Sequence, residues 1–290
     1  MVMNKIKTAV LLIILSGLFL AIGSYFGGMT GLKIAFIMAL LINGIAYFFS
    51  DALVLRLYSA RPLNDYEHAD IHSIVQELSK KMSIPAPKLY IIQSPMANAF
   101  ATGRNPSHAS VAITTGLMSL LEQHELRGVL AHELSHIKNR DILIATIAAT
   151  IATAIGYLAN MAYYAGMWGT LGNNRRRENP IGLLLIALLM PIAATLIQLG
   201  ISRSREFMAD ESGAHYSQDP LALASALQKL QANVAVAHLD KQDTRRASTA
   251  SLFIVKPFNS QGWTNLLSTH PPIEARIAKL HEIYEKNILL

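Results

Sequence analysis

Four long stretches of this chain carry no charged residue: 8–32, 34–50, 142–174 and 179–202. A helix needs roughly 20 mostly apolar residues to cross a bilayer, within a range of about 17–25. All four stretches reach that length, the second only just. The pattern predicts two apolar helices, a soluble block, two more apolar helices and a second soluble block, divided at 1–50, 51–141, 142–202 and 203–290. Lys5 and Lys7 give the first stretch the basic start of a signal peptide. Its length, and the second apolar run that follows almost at once, favour a retained transmembrane hairpin.

The polar blocks have finer patterning. Ile71, Ile74, Val75, Leu78 and Met82 recur at helical spacing across 66–82, and Pro85 and Pro87 end that helix. Residues 88–93 read as a strand and 98–102 as another. Residues 103–107 have turn chemistry, and 108–115 returns as a strand in which Val111 and Ile113 alternate with smaller side chains. A helix over 121–141 follows. In the second block, helices are expected at 206–215, at 221–239 after Pro220, and at 273–285 after Pro271 and Pro272. Residues 240–265 read as an irregular loop. No internal repeat is present. The fold class expected is a mainly α membrane protein, with four apolar helices and an α+β domain built around a small sheet.

The helix over 121–141 carries His132-Glu133-Leu134-Ser135-His136, an H-E-x-x-H pattern. Residues four apart share a helix face, so both imidazoles can reach one small ion, with Glu133 beside them. Two nitrogen ligands, a carboxylate base and an open coordination position are the core of a zinc hydrolase. Zinc needs a third protein ligand. The extended motif with a later histidine is excluded, because position 139 is Asn and position 142 is Ile. A reversed motif is also absent. Glu206 and Asp210 remain, four apart on a separate expected helix. Glu206 can ligate the ion, and Asp210 can accept the free N–H of a ligating histidine. His136 just precedes the third apolar stretch and Glu206 just follows the fourth. Two crossings return the chain to the same side, as would none, whereas a single long span would not; the site is therefore expected close to a membrane surface.

Composition narrows the function class. The chain is 52% hydrophobic and 15% charged, with no cysteine, so disulfides and thiolate ligands are excluded. Its net charge of +6 comes with no basic run interleaved with aromatics, so nucleic acid is not an expected partner. The excess is assigned to loops flanking the lipid bilayer. A transporter would place ionisable groups inside its spans. These stretches offer only Asn43, Asn160 and Gln198 as notable polar residues. A scaffold that had lost its chemistry would not need Glu133.

H-E-L-S-H followed by an apolar hairpin, then Ser202-Arg203-Ser204-Arg205-Glu206-Phe207-Met208-Ala209-Asp210, resembles the HtpX-type membrane zinc endopeptidases, relatives of the prenyl-protein (CAAX) proteases. The likeness extends over essentially the whole chain, including Asn98-Ala99-Phe100-Ala101-Thr102-Gly103 and Thr269-His270-Pro271. It implies a zincin-like (gluzincin) domain holding one Zn2+ through His132, His136 and Glu206, with Glu133 as the catalytic carboxylate. It also implies a bacterial inner-membrane location, a cytoplasmic catalytic domain and a part in membrane protein quality control. His270 and Arg276, in the H-P-P-x-x-x-R element, are candidates to steady the oxyanion, and the resemblance favours them where spacing alone would not. The strand at 98–102 is the candidate sheet edge that holds substrate, through Asn98, Ala99 and Phe100. Unfolded polypeptides and membrane-protein segments are the expected substrates, with the loop at 240–265 a target for self-cleavage. One feature conflicts. The loop around Arg175, Arg176 and Arg177 falls outside if all four stretches cross, against the positive-inside tendency; the alternative is that the pair at 142–202 does not fully span.

Overall fold

The computed structural model describes residues 2–143, 145–147, 203–236 and 271–288. Most of the second apolar pair, the loop expected at 240–265 and His270 lie outside the described residues.

The chain opens with helix α1 (Val2–Leu57), broken at Gly28, whose backbone (φ 53°, ψ −139°) a side chain would strain. At 1.5 Å per residue a straight helix would hold Ser16 and Asn43 about 40 Å apart. Instead the Asn43 side-chain amide donates to Ser16 Oγ at 2.7 Å. The two arms therefore lie side by side as a hairpin, pinned by a polar pair between apolar surfaces. Among the described residues one segment, Gly27–Phe49, is long and apolar enough to cross a membrane, with 23 residues and a mean hydropathy of 2.0. Ile34, Phe36, Ile37, Leu40 and Leu41 stand exposed on it, an apolar face that water does not favour.

The division expected at residue 50 runs through a continuous helix. α1 carries on to Leu57, and Val54 and Leu55 are buried against Ile92, Phe100 and Ala112. The Tyr58 and Phe100 rings lie 5.3 Å apart. The second arm of the hairpin is thus packed directly onto a sheet.

That sheet has four strands, β1 (Arg61–Pro62), β2 (Lys88–Ile92), β3 (Ala99–Asn105) and β4 (His108–Thr114), in the order β1-β2-β4-β3. β2 and β4 are parallel, and the outer pairs are antiparallel. Side chains alternate between its faces. Leu89, Ala99, Ala101, Val111 and Ile113 enter the main core. Phe100, Ala112 and Ile92 meet α1. The strands expected at 88–93, 98–102 and 108–115 are all present. The turn expected at 103–107 is shorter, because β3 continues to Asn105 with an irregular register at its end. β1 is a two-residue strand ending in proline, too short to leave a periodic signal.

Helix α2 (Ala69–Met82) buries Ile71, Ile74, Val75, Leu78 and Met82, the residues whose spacing announced it. After β4 comes α3 (Thr115–Leu120), which the sequence did not suggest. The Thr114 hydroxyl caps it by accepting from the Leu117 amide at 3.1 Å. Then follow α4 (Gln123–Lys138), α5 (Arg203–Ser217), α6 (Pro220–Val236) and α7 (Ile273–Ile288). Helix α4 runs through the centre of the domain, with Val129, Leu130, Leu134 and Ile137 fully buried.

α4 begins with a capping box between Glu122 and Glu125. Glu125 also reaches α6, accepting from Lys229 Nζ at 2.7 Å and Ser225 Oγ at 2.6 Å. Burial alone would raise its pKa, but these donors outweigh it and hold the carboxyl below its ordinary value of 4.5. A lowered folded-state pKa stabilises the fold above the ordinary carboxylate range, and that contribution is lost as pH falls through the folded value. Glu125→Gln is expected to cost about 1–2 kcal/mol at neutral pH, Lys229 being partly solvated. Thermal melts of the detergent-solubilised protein should show the gap from the parent closing as pH drops below 4.5.

Candidate metal centre

Glu206, Asp210 and Gly213 fall at positions i, i+4 and i+7 of α5 and so share one face. A Cβ at Gly213 would lie 3.0 Å from the His132 backbone nitrogen and 3.1 Å from its Cα. The two helices therefore touch backbone to backbone where the chemistry sits. This crossing brings His132, His136 and Glu206 together, with one ligand atom of each within 4.8 Å of the others. The two Nε2 atoms are 3.2 Å apart. Glu206 Oε2 lies 3.8 Å from His132 Nε2, and Oε1 lies 3.6 Å from His136 Nε2. All three residues expected as ligands thus converge.

Each histidine is backed by a carboxylate, and each carboxylate by an arginine. His132 Nδ1 is 2.9 Å from Asp210 Oδ1. Arg276 of α7 grips Asp210 with two hydrogen bonds, from Nε and Nη2, both of 2.7 Å. Its Nη1 lies 3.6 Å from Glu206 Oε2. Arg276 is fully buried. Expected as an oxyanion contact, it instead has its guanidinium turned to Asp210 and Glu206, an anchoring position. Burial would raise the Asp210 pKa, but the Arg276 charge outweighs it and holds the carboxyl low.

The second brace was not anticipated. His136 Nδ1 lies 3.4 Å from Asp141 Oδ2, and Asp141 Oδ1 lies 3.8 Å from Arg205 Nε. The end of α4 creates this contact. Arg140 takes a left-handed backbone (φ 59°). The amides of Arg140 and Asp141 then return to the carbonyls of Ile137 and His136 at 3.1 and 2.9 Å, a Schellman cap. The same turn that stops the helix folds Asp141 back beneath His136. Such a cap usually has glycine at the left-handed position, and without one nothing in the sequence pointed to Asp141. Burial opposes a charge on His136, yet Asp141, Glu206 and Glu133 outweigh it and push its pKa up to about 9.

The donor set suits a divalent cation. Zinc–nitrogen bonds of about 2.0–2.1 Å at tetrahedral angles set two nitrogens roughly 3.3 Å apart, close to the 3.2 Å seen here. Glu133, Asp141, Glu206 and Asp210 are buried here with Arg205 and Arg276. Carboxylates exceed guanidiniums by two; without metal, a proton held on His136 offsets part of that excess, and one divalent ion would cancel it. Buried charge without a counter-charge is costly, so the cluster favours cation binding.

Glu133 is itself buried, and desolvation raises its pKa despite the neighbouring histidines. Its Oε2 accepts the backbone N–H of Ala101 in β3 at 2.8 Å. β3 is an outer strand of the sheet, as the substrate reading required. Of the three residues assigned to substrate, however, only Ala99 turns its main chain away from the sheet. Asn98 exchanges contacts with Thr114, its N–H bonding Oγ1 at 2.9 Å and its carbonyl accepting the Thr114 amide at 3.0 Å. Phe100 is paired with Ala112 and buries its ring against α1. His270 lies outside the described residues.

A model of peptidase family M48 matches residues 65–284. The chain belongs to peptidase family M48. Curated relatives of this M48 chain include a "Protease HtpX homolog" of Sulfurihydrogenibium sp., 49% identical over 98% of this chain and 97% of the relative. The same description is given to a protein of Aquifex aeolicus, 48% identical over 93% of this chain and 90% of its own. It is also given to one of Thermococcus kodakarensis, 48% identical over 97% and 96%. The crystal structure of S. mikatae Ste24p shares the fold, with a TM-score of 0.53 at 20% identity, covering 96% of this chain and 66% of that one. The M48 chain is a metalloprotease, as the H-E-x-x-H and S-R-x-x-E-F-x-A-D motifs led us to expect.

Asp210→Ala would take from the buried Arg276 its two 2.7 Å hydrogen bonds and free the back of His132. Metal affinity should fall by about 10–100-fold and stability by about 3–5 kcal/mol. Competition with a chromophoric chelator and a thermal melt read these two effects separately.

Proposed function

We propose that this metalloprotease is a zinc endopeptidase of the bacterial inner membrane. Its catalytic domain faces the cytoplasm, and it cuts unfolded or damaged membrane proteins. The observation that carries the chemistry is the convergence of His132, His136 and Glu206 with Glu133 fixed beside them by the Ala101 amide. The exposed apolar arm of α1, packed directly onto the sheet, supports the membrane location.

His132, His136 and Glu206 would hold the ion, and the two carboxylate–arginine braces would keep the imidazoles oriented. Neutral histidine with its Nδ1–H donated to a carboxylate presents Nε2 to a metal, which is how Asp210 and Asp141 would act. When bound, zinc supplies a Lewis acid that acidifies water and polarises the peptide carbonyl. Glu133 takes the proton of the attacking water and passes it to the departing amine. Its raised pKa suits both halves of that transfer, because burial keeps it from holding its charge too firmly. The Ala101 N–H occupies Oε2, leaving Oε1 as the proton-accepting oxygen. The oxyanion contact falls to His270 on the sequence resemblance, with Arg276 holding Asp210 and Glu206 in place. Substrate lies extended against β3.

Protein purified in detergent, stripped of metal and reloaded with zinc should cleave casein. Glu133→Gln is expected to retain zinc at the parent stoichiometry while turnover falls about 10²–10⁴-fold. Equal turnover by that variant would falsify the role of Glu133.

A further inference from the structure

The end of α1 and strand β3 run antiparallel against each other. Tyr58 meets Phe100, with ring centroids 5.3 Å apart. At the other end of the pair the Arg104 guanidinium lies over the Phe48 ring, 5.5 Å from its centroid. Going from Phe100 to Arg104 is therefore going back along α1 towards its apolar span, which ends at Phe49. From the Gly28 break to Phe49 a helix rises about 31 Å at 1.5 Å per residue. The hydrocarbon core of a bilayer is about 30 Å thick. Phe48 thus stands at the hydrocarbon boundary, and Arg104 at the level of the lipid headgroups.

The whole of that end of the sheet shares the level. β4 starts there, with His108 opposite Asn105. β2 starts there, with Lys88 opposite Ser110. β1 ends there, and its chain leaves beside Leu89 towards Tyr66. Side-chain alternation puts Lys88 on the face of Tyr90 and Ile92, which is the face α1 covers. Arg104 is on that face too, as its contact with Phe48 requires. Two strand spacings, about 10 Å, separate the two cations. Neither is paired with a carboxylate among the described residues. Of the acidic groups on the adjoining turns, Asp65 faces His72 at 3.0 Å and Asp51 accepts the Ala52 amide at 2.8 Å. Glu67 is exposed and works against Lys88, which leaves Arg104 the principal cation.

Tyr66 is 96% exposed. A ring so bare is poorly placed in water and well placed among headgroups, where tyrosine and tryptophan concentrate. Tyr47, Phe48 and Phe49 are exposed at the same level. The second apolar excursion also leaves from this end. Thr146 Oγ1 lies 3.1 Å from Thr102 Oγ1 and 3.4 Å from the Gly103 nitrogen, and the third uncharged stretch begins at Ile142. Two segments far apart in the chain thus point the same end of the sheet at the bilayer.

We propose that this end of the sheet docks on an anionic phospholipid surface. Arg104, helped by Lys88, takes lipid phosphate, and Tyr66 and the turn at Pro106 and Ser107 sit among the headgroups. The inference rests on the bilayer-spanning reading of α1. Arginine suits the place, because its guanidinium can hold a ring on one side and fork onto phosphate with its N–H groups. An anionic leaflet adds attraction for each cation close to it. The contact also sets the height of the chemistry. β3 carries both Arg104 and the Ala101 amide that fixes Glu133, and only about 10 Å of strand lies between them. Docking therefore brings the catalytic carboxylate to peptide bonds that have just left the lipid.

The chain has no cysteine, so a fluorophore can be attached at one chosen site. Ser107→Cys labels the docked end of the sheet, and Ser119→Cys, in α3 just past β4, labels the opposite end. The full-length protein with either label is placed in nanodiscs of phosphatidylcholine containing a lipid with a nitroxide on its headgroup, with and without phosphatidylglycerol. Fluorescence lifetimes give the ratio of quenched to unquenched label. The proposal expects strong quenching at Ser107 and little at Ser119, with a Ser107 ratio that rises when phosphatidylglycerol is added. In the anionic discs Arg104→Gln should lower that ratio about fivefold, Lys88→Gln should lower it by less, and Arg104→Lys should keep most of it. Equal quenching of the two labels would overturn the proposal, because this end of the sheet would then not face lipid. A Ser107 ratio indifferent to phosphatidylglycerol, or unchanged by Arg104→Gln, would overturn it equally, because lipid phosphate would then not be what Arg104 holds. Failure of the membrane reading looks different. In that case the protein stays in solution without detergent and does not enter the discs at all.

Discussion

Everything in this molecule is arranged around a cluster of buried charges that does not balance by itself. Four carboxylates and two guanidiniums lie beneath the crossing of α4 and α5. Taking such groups out of water is expensive, and each is tolerated only because a partner sits against it. Asp210 has Arg276 at hydrogen-bond distance, and Asp141 has the looser Arg205. Glu206 and Glu133 are left to face the two imidazoles. A divalent cation completes the set. The fold appears in this light as the means of holding an anionic nest rigid enough to select that ion. The core of α4, the backbone contact at Gly213 and the fixed end of α7 are what keep it from relaxing.

The braces differ in a way that bears on how the site is built. Arg276 comes from the last helix and locks Asp210 with short, paired bonds, so closing the site requires the C-terminal helix to be docked. Asp141 comes from the turn that ends α4, at the point where the chain leaves towards the second apolar pair. Arg205 comes from the first turn of α5, where the chain returns from it. One histidine is therefore held from α5 and α7. The other is held by the two residues that flank the apolar excursion. On the opposite side of the sheet, Val54 and Leu55 of the hairpin are packed on Phe100, next to the Ala101 amide that fixes Glu133. Apolar segments thus adjoin the site from both sides.

Much of this was legible in the sequence, for reasons that can be stated. His132, His136, Glu206 and Asp210 were found because helices place i and i+4 together, and both pairs lie within single regular helices. The strand around Val111 was found because Val111 and Ile113 alternate with smaller residues, and the one around Leu89 because a short apolar run follows Pro85 and Pro87. What escaped depended on geometry with no local period. The left-handed Arg140 that returns Asp141 to His136 lacks the glycine that signals such caps. The capped helix at 115–120 is too short for a periodic signal. The contacts of β3 with Glu133 and Thr146 join residues more than 30 apart. Arg276 was named from the resemblance, but its bond to Asp210 spans 66 residues and no spacing rule reaches that far.

The central claim is that one metal ion sits among His132, His136 and Glu206. Anomalous diffraction at the zinc edge, on crystals of the zinc-loaded protein, tests it most directly. The account predicts one strong peak per chain, about 2.0–2.2 Å from Nε2 of each histidine and from a Glu206 carboxylate oxygen. A peak elsewhere, or one contacting the histidines with Glu206 turned away, would contradict it.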